Sequence, residues 1–313
     1  LGRPGRFVTG SFKALRFLRK TKADILHFHD PELLFVALIM RMAGRNVIFD
    51  MHENLPLEIL TKGYIPKIFR VSLSKMVRLL QRFILRYMDV IFAEESYVKY
   101  FSSVKRKEVI LNFPMAALVT GAVPEKRPDF TLGYMGYVNT ERGALITLKA
   151  IQTLRTNNIP VRAVFIGPCA KEVTGARIYK EAVKEGWAEF TGRMNPRDGW
   201  AVMAQCHVGC AILQKSPNFI ESYPTKLFEY MLLELPIIVS DFPLYRSIIE
   251  DAKCGIPVAP DSEEEIRNAV TWLKEHPHEA GIMGHCGKKT AIAKYNWESE
   301  YGKLIAFYGK ILQ

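Results

Sequence analysis

Residues 221–231 have the sequence Glu-Ser-Tyr-Pro-Thr-Lys-Leu-Phe-Glu-Tyr-Met. The segment follows a run of small and apolar residues at 208–213, which predicts a buried strand and then a polar loop. Pro224 is well placed to open the next helix, because proline suits the first helical turn. Lys226 then falls in that first turn, where a cation opposes the helix dipole. The segment therefore predicts a strand, a loop and a helix with an unusual positive charge at its amino end.

A similar arrangement occurs earlier in the chain. The strand predicted at 131–135 runs into Gly136, and Arg142 stands where the following helix begins. The glycines do not follow the G-x-G-x-x-G pattern of dinucleotide sites. Two helix amino ends that each carry a cation form a natural metal-free site for a diphosphate. The alternative for Lys226 is an i,i+3 surface pair with Glu229, worth under about 0.5 kcal/mol.

Strands alternate with helices along the whole chain, which predicts an α/β protein with two parallel, doubly wound sheets. The predicted strands are 24–28, 46–50, 89–93, 108–111, 131–135, 162–166, 188–190, 208–213, 237–240 and 255–258. The main predicted helices are 31–43, 66–87, 94–102, 263–275, 279–294 and 297–311. The expected domains are 1–112, a linker at 113–129, 130–295, and a last helix at 296–313 that crosses back to the first domain.

Two histidines follow strands of the first domain. His29 comes after the strand at 24–28, and His52 comes after the strand at 46–50. Ligands of doubly wound sheets bind outside the carboxyl ends of the strands. We therefore expect His52, and with it His29, to face a ligand. The alternative is a structural role, which is the usual one for a single histidine.

Composition and charge restrict the class of protein. Apolar residues make up 49% and charged residues 24% of 313 residues, which excludes wholesale disorder. The longest apolar run has eight residues, at 33–40, whereas a membrane span needs about 18. The five cysteines form no C-x-x-C pair, and we expect no metal site.

The positive charge lies mainly in the first part of the chain. Residues 1–125 carry 20 Lys and Arg against 11 Asp and Glu, whereas residues 126–313 carry 23 against 21. The predicted helix 66–87 contributes several basic residues: Lys67, Arg70, Arg78, Arg82 and Arg86. They form either the solvated face of a core helix or a surface that contacts anionic lipid.

Together these segments resemble the retaining glycosyltransferases of family 4, which have the GT-B fold. The resemblance rests on the E-x₇-E spacing of Glu221 and Glu229, on P-T-K-L-F-E-Y-M at 224–231, and on the segments at 235–241, 255–261 and 296–298. H-F-H-D-P-E-L-L at 27–34 and D-M-H-E-N at 50–54 resemble the acceptor domain of that family. The resemblance implies two Rossmann-like domains, the first of them incomplete, because family members begin with about 60–80 further residues. We therefore expect an amino-terminally truncated chain whose first half is unstable and poorly active alone.

The resemblance also implies roles for individual residues. Glu221 would hold hydroxyl groups of the donor sugar, and Glu229 would hold the ribose. Arg142 and Lys226 would neutralise the diphosphate, and Gly136 would let the backbone approach it. The other donor-binding residues would be Arg193 and Met194 beside the base, with Pro224 and Thr225. His52 matches a histidine that reaches the donor sugar or the reacting centre, so the catalytic residues would be His52 and Glu221, with His29 on the acceptor side.

We therefore expect a metal-independent, retaining glycosyltransferase without a cofactor, whose nucleotide-sugar donor has an unknown base. Its acceptor would be a carbohydrate or a lipid-linked precursor of cell-surface polysaccharide or glycolipid. We expect a cytoplasmic protein, peripheral at the inner membrane face, that binds no nucleic acid. Two alternatives remain: a sugar-nucleotide epimerase of the same fold, and a non-catalytic basic binding protein.

Overall fold

The computed structural model describes residues 3–119 and 124–313. The chain divides into two compact units: the first holds residues 1–112 and 299–313, and the second holds residues 113–298. The strands, in chain order, are β1 (Ile25–Phe28), β2 (Asn46–Met51), β3 (Asp89–Phe92), β4 (Arg106–Val109), β5 (Thr131–Met135), β6 (Arg162–Ile166), β7 (Ala188–Gly192), β8 (Val208–Ala211), β9 (Ile237–Ser240) and β10 (Gly255–Val258).

The helices are α1 (Arg3–Leu18), α2 (Leu34–Met42), α3 (Leu55–Thr61), α4 (Lys67–Leu85), α5 (Ser96–Tyr100), α6 (Ala116–Val119), α7 (Ala144–Thr156), α8 (Lys171–Thr174), α9 (Arg177–Lys184), α10 (Pro196–Ala204), α11 (Pro217–Ile220), α12 (Thr225–Leu232), α13 (Pro243–Ala252), α14 (Glu263–Glu275), α15 (Pro277–Lys294) and α16 (Trp297–Leu312). Short 3₁₀ turns occupy Pro31–Leu33 and Thr140–Arg142. Among the described residues, no helix is both long enough and apolar enough to span a bilayer.

In the first unit, four parallel strands pair in the order β1-β2-β3-β4. Phe28 of β1 lies opposite Phe49 of β2, and both side chains are buried in the core of this unit. Successive side chains of a strand point to opposite faces. The residues on either side of these phenylalanines, including His27 and Asp50, therefore share the other face of the sheet.

In the second unit, six parallel strands pair in the order β10-β9-β8-β5-β6-β7. The chain adds strands outward from β5 to β7, and then outward from β8 to β10 on the other side. The direction therefore changes between β5 and β8, which is where doubly wound sheets bind their ligands. Large apolar side chains fill the core around the sheet, among them Tyr134, Leu148, Phe165, Trp187 and Leu273.

The predicted α/β fold with two parallel sheets is confirmed, and every predicted strand lies within two residues of an observed strand at either end. The sequence prediction missed α1 and α3. The amide side chain of Asn54 accepts a hydrogen bond from the Leu57 N–H at 3.4 Å and so begins α3. At seven residues, α3 is too short to show a helical period.

The predicted linker, 113–129, contains the one-turn helix α6, and its residues 120–123 lie outside the described residues. Its first residue, Phe113, is buried. The Phe113 ring packs against Phe228 at 4.7 Å and against Tyr295 at 5.4 Å between centroids. The start of the segment is therefore part of the core of the second unit, because a buried aromatic side chain contributes a large apolar area.

The basic residues of α4 do not form the single exposed face that the sequence predicted. Arg70 Nε donates to the Ile65 carbonyl at 2.8 Å, and Arg82 Nε donates to the Tyr100 carbonyl at 2.6 Å. The Arg78 guanidinium lies 5.0 Å from the centre of the Tyr100 ring. These three arginines are half-buried and bind the protein itself, whereas the other two basic residues of the predicted face, Lys67 and Arg86, are exposed.

The exposed face of α4 is mainly apolar. Its exposed apolar side chains are Ile68, Phe69, Val71, Met76, Leu79, Leu80 and Phe83. The exposed Lys75 lies among them, and the helix contains no acidic residue. Contiguous apolar surface of this kind marks interaction sites.

Candidate active site

A cavity of about 400 Å³ lies at the carboxyl end of β5 in the second unit. Met135, the last residue of β5, and Leu213, which follows β8, both line it. The cavity is therefore at the point where the strand order changes direction. Six of the eight predicted donor-binding residues line it: Gly136, Arg142, Pro224, Thr225, Lys226 and Glu229.

Two cationic side chains lie close to Gly136. Its φ of +136° is one that residues with a side chain rarely adopt, and its N–H donates to the Ile166 carbonyl at 2.8 Å. A Cβ atom at this position would lie 3.5 Å from Nη1 of Arg142 and 3.6 Å from Cε of Lys226. Both cationic side chains therefore approach the glycine turn, where their charges converge.

The turn before α7 positions Arg142. The side chain of Asn139 accepts a hydrogen bond from the Arg142 N–H at 3.0 Å, which begins the 3₁₀ turn. Gly143 has a φ of +78°, and a Cβ there would lie 2.0 Å from the Ile212 carbonyl oxygen. The Arg142 guanidinium lies 5.9 Å from the centre of the Phe219 ring. Arg142 is thus held half-buried at the cavity wall.

Lys226 is the buried cation of the cavity, with 9% of its surface exposed. It lies in the first turn of α12, and its Nζ is 5.4 Å from the centre of the Tyr134 ring. Burial and then the charge of Arg142 lower the pKa of Lys226 to about 7, and the charge of Glu229 opposes the shift. An anion bound between the two cations would favour the protonated amine.

Glu229 lies one helical turn after Lys226, and both side chains line the cavity. Burial raises the pKa of the Glu229 carboxyl, and the indole of Trp200 and the charge of Lys226 oppose that shift. The pair is therefore not the exposed surface pair considered as the alternative. Trp200 was not predicted, because one tryptophan in a helix is typical of a core residue.

The remaining predicted residues of this unit lie outside the lining of the cavity. Glu221 is half-buried at the end of α11, directly before Ser222, which does line the cavity. Arg193 is exposed and Met194 is half-buried. Both follow β7, which is separated from β5 by β6.

In the first unit, three histidines surround the carboxylate of Asp50. Its Oδ2 lies 3.3 Å from Nε2 of His27 and 3.4 Å from Nδ1 of His29. The same oxygen lies 3.1 Å from Nε2 of His52. Nδ1 of His29 and Nε2 of His52 are 3.2 Å apart. The two predicted histidines are therefore brought together, and Asp50 and His27 complete a group that we call the histidine cluster.

Further polar groups hold the outer sides of two of these rings. Nδ1 of His27 lies 2.5 Å from the hydroxyl of Tyr308 on α16. Nδ1 of His52 lies 2.9 Å from the side-chain amide of Asn112. Within the described part of the chain, His29 has no hydrogen bond of this kind on its outer side, and 57% of its side chain is exposed.

The cluster shifts the pKa values of its members. Burial alone would raise the pKa of Asp50, but hydrogen bonds from His27 and His52 lower it to about 2. The hydrogen bond to Asp50 raises the pKa of His52 against the effect of burial. Burial lowers the pKa of His29, and the neighbouring His27 adds to this. The carboxylate is therefore ionised throughout the neutral range.

The spacing His27-x-His29 and Asp50-x-His52 contained the signal for the whole cluster. Residues two apart in a strand share a face, so this spacing could have placed the four side chains together, but only His29 and His52 were predicted. Tyr308 is 281 positions away from His27, and nothing in its local sequence indicated the contact.

A family model described as "Glycosyl transferases group 1" matches residues 121–290, more than half of the chain. The chain belongs to this family. The D-rhamnosyltransferase WbpZ of Pseudomonas aeruginosa is 23% identical over 303 residues, which cover 92% of this glycosyltransferase and 73% of WbpZ. An MMP alpha-(1->4)-mannosyltransferase of Mycolicibacterium hassiacum is 24% identical over 113 residues, 36% of this glycosyltransferase and 26% of that enzyme.

Solved structures share the fold of this glycosyltransferase. HepE of Anabaena, in complex with UDP, has a TM-score of 0.72 at 14% identity and covers 96% of this chain and 82% of its own. Sucrose-phosphate synthase of Thermosynechococcus elongatus has a TM-score of 0.74 at 15% identity, over 99% of this chain and 80% of its own. The predicted GT-B fold is confirmed, and assignment to retaining family 4 stays a prediction.

Proposed function

We propose that this glycosyltransferase moves a sugar from a nucleotide-sugar donor to an acceptor hydroxyl with retention of the anomeric configuration. The observation that carries the proposal is the convergence of Arg142 and Lys226 beside Gly136, in a cavity that Glu229 also lines. Two cations beside a glycine turn suit a diphosphate, and a carboxylate accepts hydrogen bonds from sugar hydroxyls. HepE structures contain UDP and UDP-glucose, which supports a donor of this class.

In this proposal the donor is held without a metal ion at the diphosphate. Arg142 and Lys226 neutralise the phosphates and stabilise the negative charge that develops on the leaving group. Pro224 and Thr225 place the amino end of α12 at the same charge. Glu229 binds the ribose. The remaining assignments are Glu221 at the hydroxyls of the donor sugar, and Arg193 and Met194 beside the base.

The reaction exchanges one bond at the anomeric carbon. The bond to the diphosphate oxygen breaks, oxocarbenium character develops on the sugar, and the acceptor oxygen bonds to the same face. The acceptor proton passes to the leaving diphosphate. We assign His52 a catalytic role at the sugar and His29 a place on the acceptor side. No covalent nucleophile is needed in this front-face route.

For the acceptor, we propose a carbohydrate or lipid-linked precursor in the synthesis of cell-surface polysaccharide or glycolipid, at the inner face of the membrane. The matched relatives are named as a rhamnosyltransferase and a mannosyltransferase, which supports glycan synthesis. The exposed apolar face of α4 would contact the membrane. Lys67, Lys75 and Arg86 flank it with positive charge and α4 has no acidic residue, so an anionic lipid surface is its complementary partner.

Vesicle sedimentation tests the membrane contact. The protein should sediment with vesicles containing phosphatidylglycerol and much less with phosphatidylcholine vesicles. The double variant Phe69→Ser, Leu79→Ser should lose this binding, whereas Ile282→Ser, an exposed apolar residue of α15, should keep it. Equal sedimentation of all three proteins would contradict the proposal. A dimer that the double variant abolishes would assign the face to a second copy instead.

Donor turnover tests the reaction itself. The protein is incubated with UDP-, GDP- and dTDP-sugars, with and without a sugar linked to polyprenyl diphosphate, and nucleoside diphosphate release is measured in EDTA. We expect release that depends on the acceptor, and a product whose anomeric proton coupling matches that of the donor. Conversion of the donor without an acceptor would indicate the epimerase. Binding only to nucleic acid, weakening steeply with salt, would indicate the basic binding protein.

A further inference from the structure

The histidine cluster places ligand atoms where a metal ion would need them. We propose that the first unit binds one divalent transition-metal ion, with zinc as the best match, through four side chains: His27, His29, Asp50 and His52. All four side chains belong to the first unit, whereas the residues that line the donor cavity belong to the second. The proposal therefore does not depend on the proposed function.

Four of the six distances between the ligand atoms of the cluster are close to those of a tetrahedral site. Zinc bonds of about 2.0–2.1 Å to nitrogen and about 2.0–2.2 Å to oxygen separate neighbouring ligand atoms by about 3.3–3.5 Å. Oδ2 of Asp50 lies 3.1–3.4 Å from one nitrogen of each histidine, and His29 Nδ1 lies 3.2 Å from His52 Nε2. Ligand atoms of His27, His29 and Asp50 all lie within 4.8 Å of one another. His52 is not in that group, so a four-ligand site requires the rings of His52 and His27 to move toward each other.

The hydrogen bonds at Nδ1 of His27 and His52 are of the kind that metal-bound histidines make. A histidine that binds a metal through one nitrogen usually makes a hydrogen bond with the other, which fixes its orientation. Nε2 of His27 and of His52 faces Asp50, and Nδ1 of each faces a polar group: the Tyr308 hydroxyl at 2.5 Å and the Asn112 amide at 2.9 Å. Both rings are thus held with Nε2 directed inward.

Hydrogen bonding to Asp50 alone explains the arrangement less well. A carboxylate has two oxygens and about four acceptor positions, over which three donors would normally be divided. Here all three nitrogens approach Oδ2. Within the described residues, the buried Oδ1 makes no hydrogen bond. Three imidazole nitrogens and one carboxylate oxygen that lie this close together would form the ligand set of one bound ion.

The donor set also selects the class of ion. Three imidazole nitrogens with one carboxylate oxygen suit zinc, cobalt, nickel or copper, whereas magnesium and calcium prefer oxygen ligands. The exposed side of His29 gives an ion access from solvent.

Metal binding by the purified full chain, without a polyhistidine tag and after treatment with EDTA and desalting, tests the proposal. Titration calorimetry with ZnCl₂ should give one ion per chain, and Co²⁺ should give the visible absorption bands of a tetrahedral site. His29→Ala and His52→Ala should each weaken zinc binding at least about tenfold. His278→Ala, an exposed histidine of α15, is the matched control and should bind like the wild type.

Two results would overturn the proposal: no stoichiometric binding of Zn²⁺ by the wild-type chain, or binding that His29→Ala and His52→Ala leave unchanged. Because His29 is largely exposed, its replacement should leave the fold intact. The Co²⁺ spectrum of the wild-type chain is independent of any variant. Octahedral bands there would also contradict the assigned geometry.

Discussion

Lys226 is the residue whose ionisation is most sensitive to a bound ligand. Buried beside Arg142, it has a pKa of about 7. A bound diphosphate would add negative charge next to the amine, stabilise the protonated form and raise this pKa. Binding of the nucleotide is therefore linked to uptake of a proton by Lys226.

The expected pH dependence of UDP binding follows from this linkage. Above about pH 7 the free chain holds Lys226 mainly neutral while the complex keeps it charged, so the affinity should fall as pH rises, by up to about tenfold per pH unit. Calorimetry in buffers of different ionisation enthalpy measures the proton uptake. Lys226→Met should abolish this uptake, and it controls for ionisation of the nucleotide itself. A wild-type affinity that is constant from pH 7 to 9 would be inconsistent with the linkage.

Gly136 gives a second prediction at the scale of one residue. Gly136→Ala should lower the free energy of unfolding by about 1–2 kcal/mol, because an alanine is strained at this φ. It should also abolish UDP binding, because the new Cβ lies beside Arg142 and Lys226. Gly281→Ala, at an open helical position, should be neutral or stabilising by up to about 1 kcal/mol. Unchanged UDP binding by Gly136→Ala would contradict this role.

At the scale of elements, the strands were predictable because their apolar runs are short, buried and bounded by turn residues. The helices were harder. The 3₁₀ turn at Pro31–Leu33 and the short α3 have no helical period of their own. Which side of α4 is buried depends on hydrogen bonds to the carbonyl groups of Ile65 and Tyr100. These contacts form only in the folded chain. A row of arginines on a helix predicts that this side is exposed to solvent. In α4 the arginines instead pack against the protein.

Arg82 tests this corrected view of α4. Arg82→Met should lower the free energy of unfolding by about 1–3 kcal/mol, because its hydrogen bond to the Tyr100 carbonyl is charge-assisted. Lys75→Met, on the exposed face, should change it by less than about 0.5 kcal/mol. Urea unfolding of both variants measures the difference. Equal effects would mean that the arginine side of α4 is a solvated face after all.

At the scale of the whole molecule, the last helix joins residues far apart in sequence. Residues 299–313 belong to the first unit with residues 1–112. Glu300 is buried and accepts a hydrogen bond from the Leu111 N–H at 2.9 Å, and Tyr308 contacts His27. The first unit is therefore incomplete without the end of the chain.

Removal of this contact should weaken the first unit selectively. Glu300→Ala leaves the Leu111 N–H without its acceptor and should cost about 1–3 kcal/mol. Amide hydrogen exchange measured by mass spectrometry should show faster exchange in β3 and β4, with peptides of the second unit as an internal reference. Glu275→Ala, at an exposed position at the end of α14, is the control. If β3 and β4 exchange at the same rate in Glu300→Ala as in the control variant, α16 does not stabilise the first unit.

The two sites were predictable to different extents. Pro224, Thr225, Lys226 and Glu229 lie in one segment, so spacing along a helix placed them together. Arg142 and Gly136 could be added because both follow β5, and the carboxyl end of that strand was a known position for ligands. The histidine cluster combines residues at the ends of two strands, β1 and β2, and no single segment of sequence contains it.

The central claim is that Arg142 and Lys226 hold a nucleoside diphosphate without a metal ion. Calorimetric titration with UDP, GDP, ADP and dTDP in the presence of EDTA tests it most directly. We predict binding of at least one of them by the wild type and by Lys149→Met, an exposed lysine of α7. Arg142→Met and Lys226→Met should each weaken it by about 1.5–3 kcal/mol. Absence of any binding in EDTA, or equal binding by all four proteins, would contradict the account.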